Sequence, residues 1–346
     1  MQAVANLVPW MQACAEAGDR DAAFPAEEMA ALGAAGALSP PLPIAGTGSA
    51  DDLASLLILA GQGNLSVGRI LEAHINALHL IARYGTPRVD GRLYGLWVTD
   101  PPTGALRMRR SGGWIVLDGG KQFCSGAGHV SGAVVTAVDE DGTTRMLVLP
   151  LGIGEVVHAL PSPLVGMRAA VTGAVDFSGC RVEMDAVLGG PGDYLREPDF
   201  SAGAWRGSAV ALGGLISLID HGVAALRESG RLDSAHAQAR VGRAIIARET
   251  CRLWVSAAAR AAEDPQAEAG YRVAAVGLGR IAVETACLDA MRLLQRSIGL
   301  SSFRQGSAVE RICRDLSTYL RQPAPDEVLT ESGDWFARHT KAWVRS

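Results

Sequence analysis

Lysine is almost missing from this chain: Lys121 and Lys341 are the only two in a Lys+Arg total of 32. Arginine carries the positive charge, which reads as codon bias rather than function. Positive charge is not in surplus either. Asp+Glu number 36 and the formal net charge is −4, so no basic field exists to attract nucleic acid. No apolar run is read as reaching the length of a membrane span, so no membrane partner is expected. MQAVANLVPWMQACAEAGDR lacks a basic n-region and turns acidic early, which argues against a signal peptide and for a cytoplasmic location. Paired cysteines are missing as well. Cys14, Cys124, Cys180, Cys251, Cys287 and Cys313 show no C-x-x-C and no zinc spacing, so free thiols are expected. His74 and His79 are five apart on a helical stretch and do not share a face, so no metal site is expected.

The 346 residues are 48% apolar and 20% charged, the balance of a folded globular protein with room for two or three sub-domains. Residues 1–90 read as helices. Pro25 suits a helix N1 position ahead of Glu27 and Glu28, which favour the positive end of the helix dipole. Ser49 and Asp52 make a variant capping box before LASLLILAG. Asn64 caps a long helix to Arg83, with Val67, Ile70, Leu71, Ile75, Leu78 and Ile81 at helical spacing and Gly85 and Pro87 as stops. From 91 to 195 the period shortens. LYGLWVT, GWIVLD, GAVVTAV, TRMLVLP and AVDFSGC are β-rich runs, broken by Gly119-Gly120, DEDG and Pro150. From 196 to 346 helices return, at roughly 204–228, 233–262, 269–298 and 307–321. The fold class is α+β, mainly α: an N-terminal helical domain (1–90), a middle β-barrel domain (91–195) and a C-terminal four-helix bundle (196–346).

The stretch richest in chemistry is Ser111–Ala127, SGGWIVLDGGKQFCSGA. Phe123 and Ser125 sit two apart on a strand, which projects an aromatic and a hydroxyl to one face. Just upstream, Trp97-Val98-Thr99 runs into Asp100-Pro101. On the residues alone, Phe123 and Ser125 either line a ligand or are inward residues of the barrel.

The pair resembles the two segments that hold the flavin ring in the acyl-CoA dehydrogenase superfamily. GNLSVGRILEAHINALHLIARYGTP, VGMRAAVTGAVDFSGCRVEMDAVLG and QRSIGLSSFRQGSAVERICRDL are similar to three further segments of that family, in the same order. The resemblance implies FAD, or the smaller FMN. It places Trp97, Val98 and Thr99 along one side of the ring, Phe123 stacked on it and Ser125 at its edge. Arg296, or Gln295 on the other alignment, and Gly299 would fall where the family contacts the cofactor's phosphate end, although Arg296 also reads as a helix C-terminal charge. Trp205 and Arg206 would stand at the substrate pocket; Arg206 holds its mouth or forms a buried ion pair. The bundle packs against its own copy in this family, which implies a homodimer or homotetramer, and the Gly spacing in Val276–Gly279 would permit close helix approach.

The chain departs from the pattern in ways that bear on chemistry. No Phe-Gly follows Arg227-Glu228, which leaves Arg231 as a substitute cofactor arginine or a solvated turn residue. Ala105 replaces a serine. The usual catalytic Glu falls at Pro323, and its alternative location at Trp205; neither abstracts a proton. Asp326, with Glu327 beside it, is the catalytic candidate, against the plainer reading of surface acids at the start of the final helix. Three functions stay open: a dehydrogenase-like flavin oxidoreductase with a relocated base; a flavin-dependent monooxygenase of the same fold, similar in its C-terminus to dibenzothiophene monooxygenase and the nitrososynthases; and a non-catalytic member. The partners implied are a small-molecule substrate, by resemblance an acyl-CoA thioester, and an electron-transfer partner or flavin reductase.

Overall fold

Two short polar side chains start the helices that matter most. Ser49 Oγ accepts from the Asp52 amide at 3.0 Å and begins α3 (Ala50–Gly63). Asn64 Oδ1 accepts from the Ser66 amide at 2.9 Å and begins α4 (Leu65–Tyr84). Before them come α1 (Gln2–Asp21) and α2 (Ala26–Ala34), with Pro25 as the N-cap of α2, one residue earlier than expected. The computed structural model describes residues 1–85 and 91–339; the expected stop at Pro87 lies outside them.

Among the described residues ten strands follow: β1 (Tyr94–Trp97), β2 (Arg107–Ser111), β3 (Trp114–Asp118), β4 (Gly120–Cys124), β5 (Gly132–Val138), β6 (Thr144–Pro150), β7 (Val156–Ala159), β8 (Gly173–Asp176), β9 (Arg181–Glu183) and β10 (Val187–Leu188). They form a seven-stranded sheet in the order β10-β6-β5-β2-β3-β9, with β1 parallel to β5, and a three-stranded sheet β4-β8-β7. Trp97, Ile115, Leu117, Ala133, Val135 and Leu149 of the first sheet and Cys124 and Val175 of the second close on one core.

The helices then return: α5 (Asp199–Ala202), α6 (Trp205–Glu228), α7 (Ala235–Glu263), α8 (Ala269–Ile298), α9 (Ala308–Tyr319) and α10 (Pro325–Arg338). Their long members begin and end within two residues of the sequence expectation. Gly279 faces Ala258 of α7 and Gly277 faces Ser332 of α10, so the close approach these glycines permit is used inside one chain. The segment Asp199–Glu228 corrects one expectation: by length and composition it is apolar enough to cross a membrane. It carries so few charges because it is the middle helix of the bundle, buried on most of its surface between α3, α7 and α8.

Candidate functional site

The two strands singled out in the sequence are held together by the buried Lys121. Its Nζ donates to Asp100 and, at 2.9 Å, to Thr136 Oγ1, and it is 2% exposed. The Gln122 amide adds a bond to the Thr99 carbonyl at 2.9 Å. The segment after β1 is therefore fixed along β4, which explains why an amine belongs at Lys121: only a long stem with a donor tip crosses from the core to the carboxylate.

Beyond Lys121 the register of β4 shifts against β8, and Phe123 takes a left-handed φ of 54°. That conformation is rare for an aromatic residue. The irregularity breaks the expected alternation. Phe123 turns out to solvent, 48% exposed, while Ser125 is buried at 7%. Val98 is half-buried and Thr99 exposed. Trp97 departs from its expected place beside a flavin. Its indole is buried in the β core and its Nε1 donates to the Ser125 carbonyl at 3.0 Å. Gly95 makes this possible, since a Cβ there would lie 2.6 Å from that nitrogen. Trp97 is thus a support for Ser125 and contributes no side chain to the outer face.

Ser125 is also tied to the helices. Arg69 of α4 donates from Nε to Ser125 Oγ at 3.2 Å and pairs with Glu72. Glu72 accepts from Asn76, and Asn76 Oδ1 accepts from Arg206 Nη1 at 3.0 Å. Arg206 Nη2 donates to Glu263 and stands against His79 Nδ1, both at 2.9 Å. Of the two readings of Arg206, the structure supports the buried ion pair: it is 3% exposed. Trp205 is fully buried and donates to Glu263 at 3.2 Å. Neither side chain lines the adjoining cavity; their chain neighbours Ala204, Gly207, Ser208 and Ala211 do. With Arg69, Glu72, Arg280, Glu284, Tyr319 and Gln322 they enclose about 80 Å³.

No family model matches the chain. The mitochondrial short-chain specific acyl-CoA dehydrogenase of Homo sapiens is 27% identical over 50% of this chain and 48% of the relative, so the match spans about half of each protein. The FMN-bound TdsC of Paenibacillus sp. A11-2, a dibenzothiophene monooxygenase, superposes with a TM-score of 0.87 at 17% identity, over 98% of this chain and 97% of that one. Methanesulfinate monooxygenase MsuC of Pseudomonas fluorescens gives 0.86 at 20% identity over 98% and 96%. The chain has the acyl-CoA dehydrogenase fold.

Within the acyl-CoA dehydrogenase fold, two of the similar sequence segments meet in space. The Met167 amide donates to Asp315 Oδ1 at 2.6 Å, and Arg314 reaches the Val165 carbonyl at 2.7 Å. Arg314 also pairs with Asp19 and Glu310, so the Arg-Asp pair binds the β-domain to α1 and α9. Burial pushes the Asp315 carboxyl up to about 6.

The expected base does not reach the cavity. Asp326 is exposed in the first turn of α10, as is Glu327. Pro323 is next in the chain to Gln322 of the cavity wall, and its carbonyl accepts from Arg280 Nη2. Both carboxylates in the wall are committed, Glu72 to Arg69 and Glu284 to Arg321. At the far end of α8, Arg296 is exposed and Gly299 has a φ of 74°. Twelve or more residues of helix separate them from Glu284, roughly 20 Å. Arg231 caps that end instead of standing free, donating to the Ile298 carbonyl at 2.7 Å. Among the described residues no cluster of ligating side chains suits a metal.

Phe123 is exposed on the outer face, and Ser125, although buried, has an Oγ that accepts from Arg69 and so keeps its own proton to donate.

Proposed function

We propose that the protein is a flavin-dependent monooxygenase, an oxidoreductase that adds oxygen to a small molecule instead of withdrawing hydrogen from an acyl-CoA. One observation carries the choice. Where an α,β-dehydrogenase needs a free carboxylate, this chain has Pro323, and both wall carboxylates are already paired with arginines. FMN is the flavin we favour: it is the one bound in the TdsC structure, and Arg231, the residue offered for a longer cofactor's far end, is engaged with α8.

Val98, Thr99 and Phe123 would hold the ring and Ser125 would donate to its edge. Bound flavin would supply the reducing electrons and the activation of oxygen, the electrons coming from a separate flavin reductase. Lys121 and Trp97 keep the two strands in place, and Arg69 orients the Ser125 hydroxyl. A second copy of the chain would cover the apolar side chains on α7, where Ile246 and Leu253 are 66% and 60% exposed.

The test is a visible absorption spectrum of the protein after FMN or FAD is added and excess removed. Retained flavin bands are expected. Anaerobic addition of short acyl-CoAs should leave them unbleached, whereas oxygen uptake should follow when a reductase supplies electrons. Bleaching by an acyl-CoA would return the protein to the dehydrogenases. A protein that retains neither flavin is not an oxidoreductase of this kind.

A further inference from the structure

The cavity behind Ser125 has a definite chemical character. Ala204, Gly207, Ser208 and Ala211 recur at i, i+3, i+4 and i+7, so one face of α6 is stripped of bulk where the cavity lies. Opposite them stand Tyr319 of α9 and Arg280 of α8. Tyr319 is 7% exposed, and its hydroxyl has no partner among the described residues. It points toward α6, where a Cβ on Gly207 would meet it at 3.5 Å. Arg280 Nε is likewise buried and unpartnered among them. Its guanidinium is bonded to the Pro323 carbonyl, with no carboxylate in ion-pair contact among the described residues.

Of the other charges in the wall, Arg69 is matched by Glu72, and Glu284, four residues from Arg280 on α8 and acting on its charge, is bonded to Arg321 outside the wall. What remains is a guanidinium with no direct ion pair among the described residues and two unpartnered buried donors in the wall of the same small space. Buried donors of this kind favour a ligand that brings acceptors, and the unmatched guanidinium favours one that is negative. The volume, about 80 Å³, admits only a few heavy atoms. An extended acyl chain has no room.

We infer that this cavity seats a compact oxyanion, a carboxylate or sulfinate on a short substituent, with its oxygens on Arg280 and Tyr319. The inference rests on the oxidoreductase reading only in taking the cavity as that reaction's substrate pocket. Arg69 links the two places, since it lines the cavity and donates to Ser125.

The experiment is calorimetric titration of the full-length protein, without flavin and then with FMN. The probes are acetate and methanesulfinate, with acetamide as the neutral isostere of acetate and hexanoate as the size control. Saturable binding of at least one short oxyanion is expected, tighter than acetamide and hexanoate by tenfold or more. The acetate and methanesulfinate arms tell which head group fits. Arg280→Gln should weaken that binding by roughly tenfold or more, the loss of one charge-assisted contact. Tyr319→Phe removes an oxygen that has no partner, so the fold should tolerate it, and it should weaken binding several-fold. Equal affinity for acetate and acetamide would overturn the inference. So would unchanged affinity in Tyr319→Phe, or no binding of either oxyanion. Flavin retention is scored separately: a protein that keeps FMN but ignores oxyanions defeats this inference alone, and one that binds the oxyanion but no flavin defeats the proposed function alone.

Discussion

His79 stands between a buried arginine and the middle of α4, and acid should expose how much the bundle depends on its staying neutral. Its Nδ1 lies 2.9 Å from Arg206 Nη2, so it accepts that bond only as the neutral ring. Burial, and then the Arg206 charge, push it from 6.5 down to about 2. The unfolded chain takes up a proton near 6.5 and the folded chain does not. The contribution is therefore fully present above that pH and is lost as the pH falls through 6.5 toward about 2. Integrated over the titration, the loss is about 0.2 kcal/mol at pH 7 and about 2 kcal/mol at pH 5. The assay is urea unfolding at pH 7, 6 and 5 of the natural protein and of His79→Gln, which keeps an acceptor for Arg206. The natural protein should lose about 2 kcal/mol more than the variant between pH 7 and pH 5. His74 and Asp315 titrate in both proteins and cancel in the difference, although Asp315 acts with the opposite sign. Its raised carboxyl favours the protonated folded state, so its contribution is lost as the pH climbs from 3.8 through about 6. Parallel stability curves for the two proteins would refute the claim that Arg206 and burial keep His79 neutral.

Other substitutions probe the two strands and the inter-domain clasp. Ser125→Ala should reduce FMN retention about tenfold while circular dichroism stays unchanged; equal retention would remove Ser125 from the ring's edge. Lys121→Met should cost about 1–2 kcal/mol, because two bonds are lost but Asp100 is partly in water, and it should lower FMN retention as well. Loss of stability with flavin retention intact would show that the strands hold position without it. Gly166→Ala should destabilise by about 1–3 kcal/mol, since its Cβ would lie 2.4 Å from the Arg314 carbonyl oxygen, where neither backbone can yield. A neutral result in urea unfolding would mean the clasp is looser than described.

The helices were legible because their signals are local. Asn64 and Ser49 announce themselves as caps, and the apolar spacing of α4 follows a single face. Strands with apolar alternation were legible for the same reason. β2, RMRRS, was missed because only Met108 is buried; β7, VVHA, because all four residues are exposed. The site was less legible than the fold. A period of two predicts that Phe123 and Ser125 share a face, and the register shift in β4 defeats it. Arg69 was missed altogether, although its i, i+3 spacing from Glu72 was visible. The small-residue face of α6 was visible too, but its meaning depends on Arg280 and Tyr319, which arrive from helices far along the chain. Arg206 could be read two ways because burial is decided by Glu263 and His79, on two other helices.

The scarcity of lysine has a practical consequence. Lys121 has a side chain only 1% exposed, and its amine spans the two strands proposed to hold flavin. In acetylation footprinting read by mass spectrometry, that one peptide stays blank while the strands are joined and gains a label once they part. The chain thereby carries a native reporter for the opening of its flavin face, separable from melting of the helical bundle, and any ligand that tightens that face should slow the labelling.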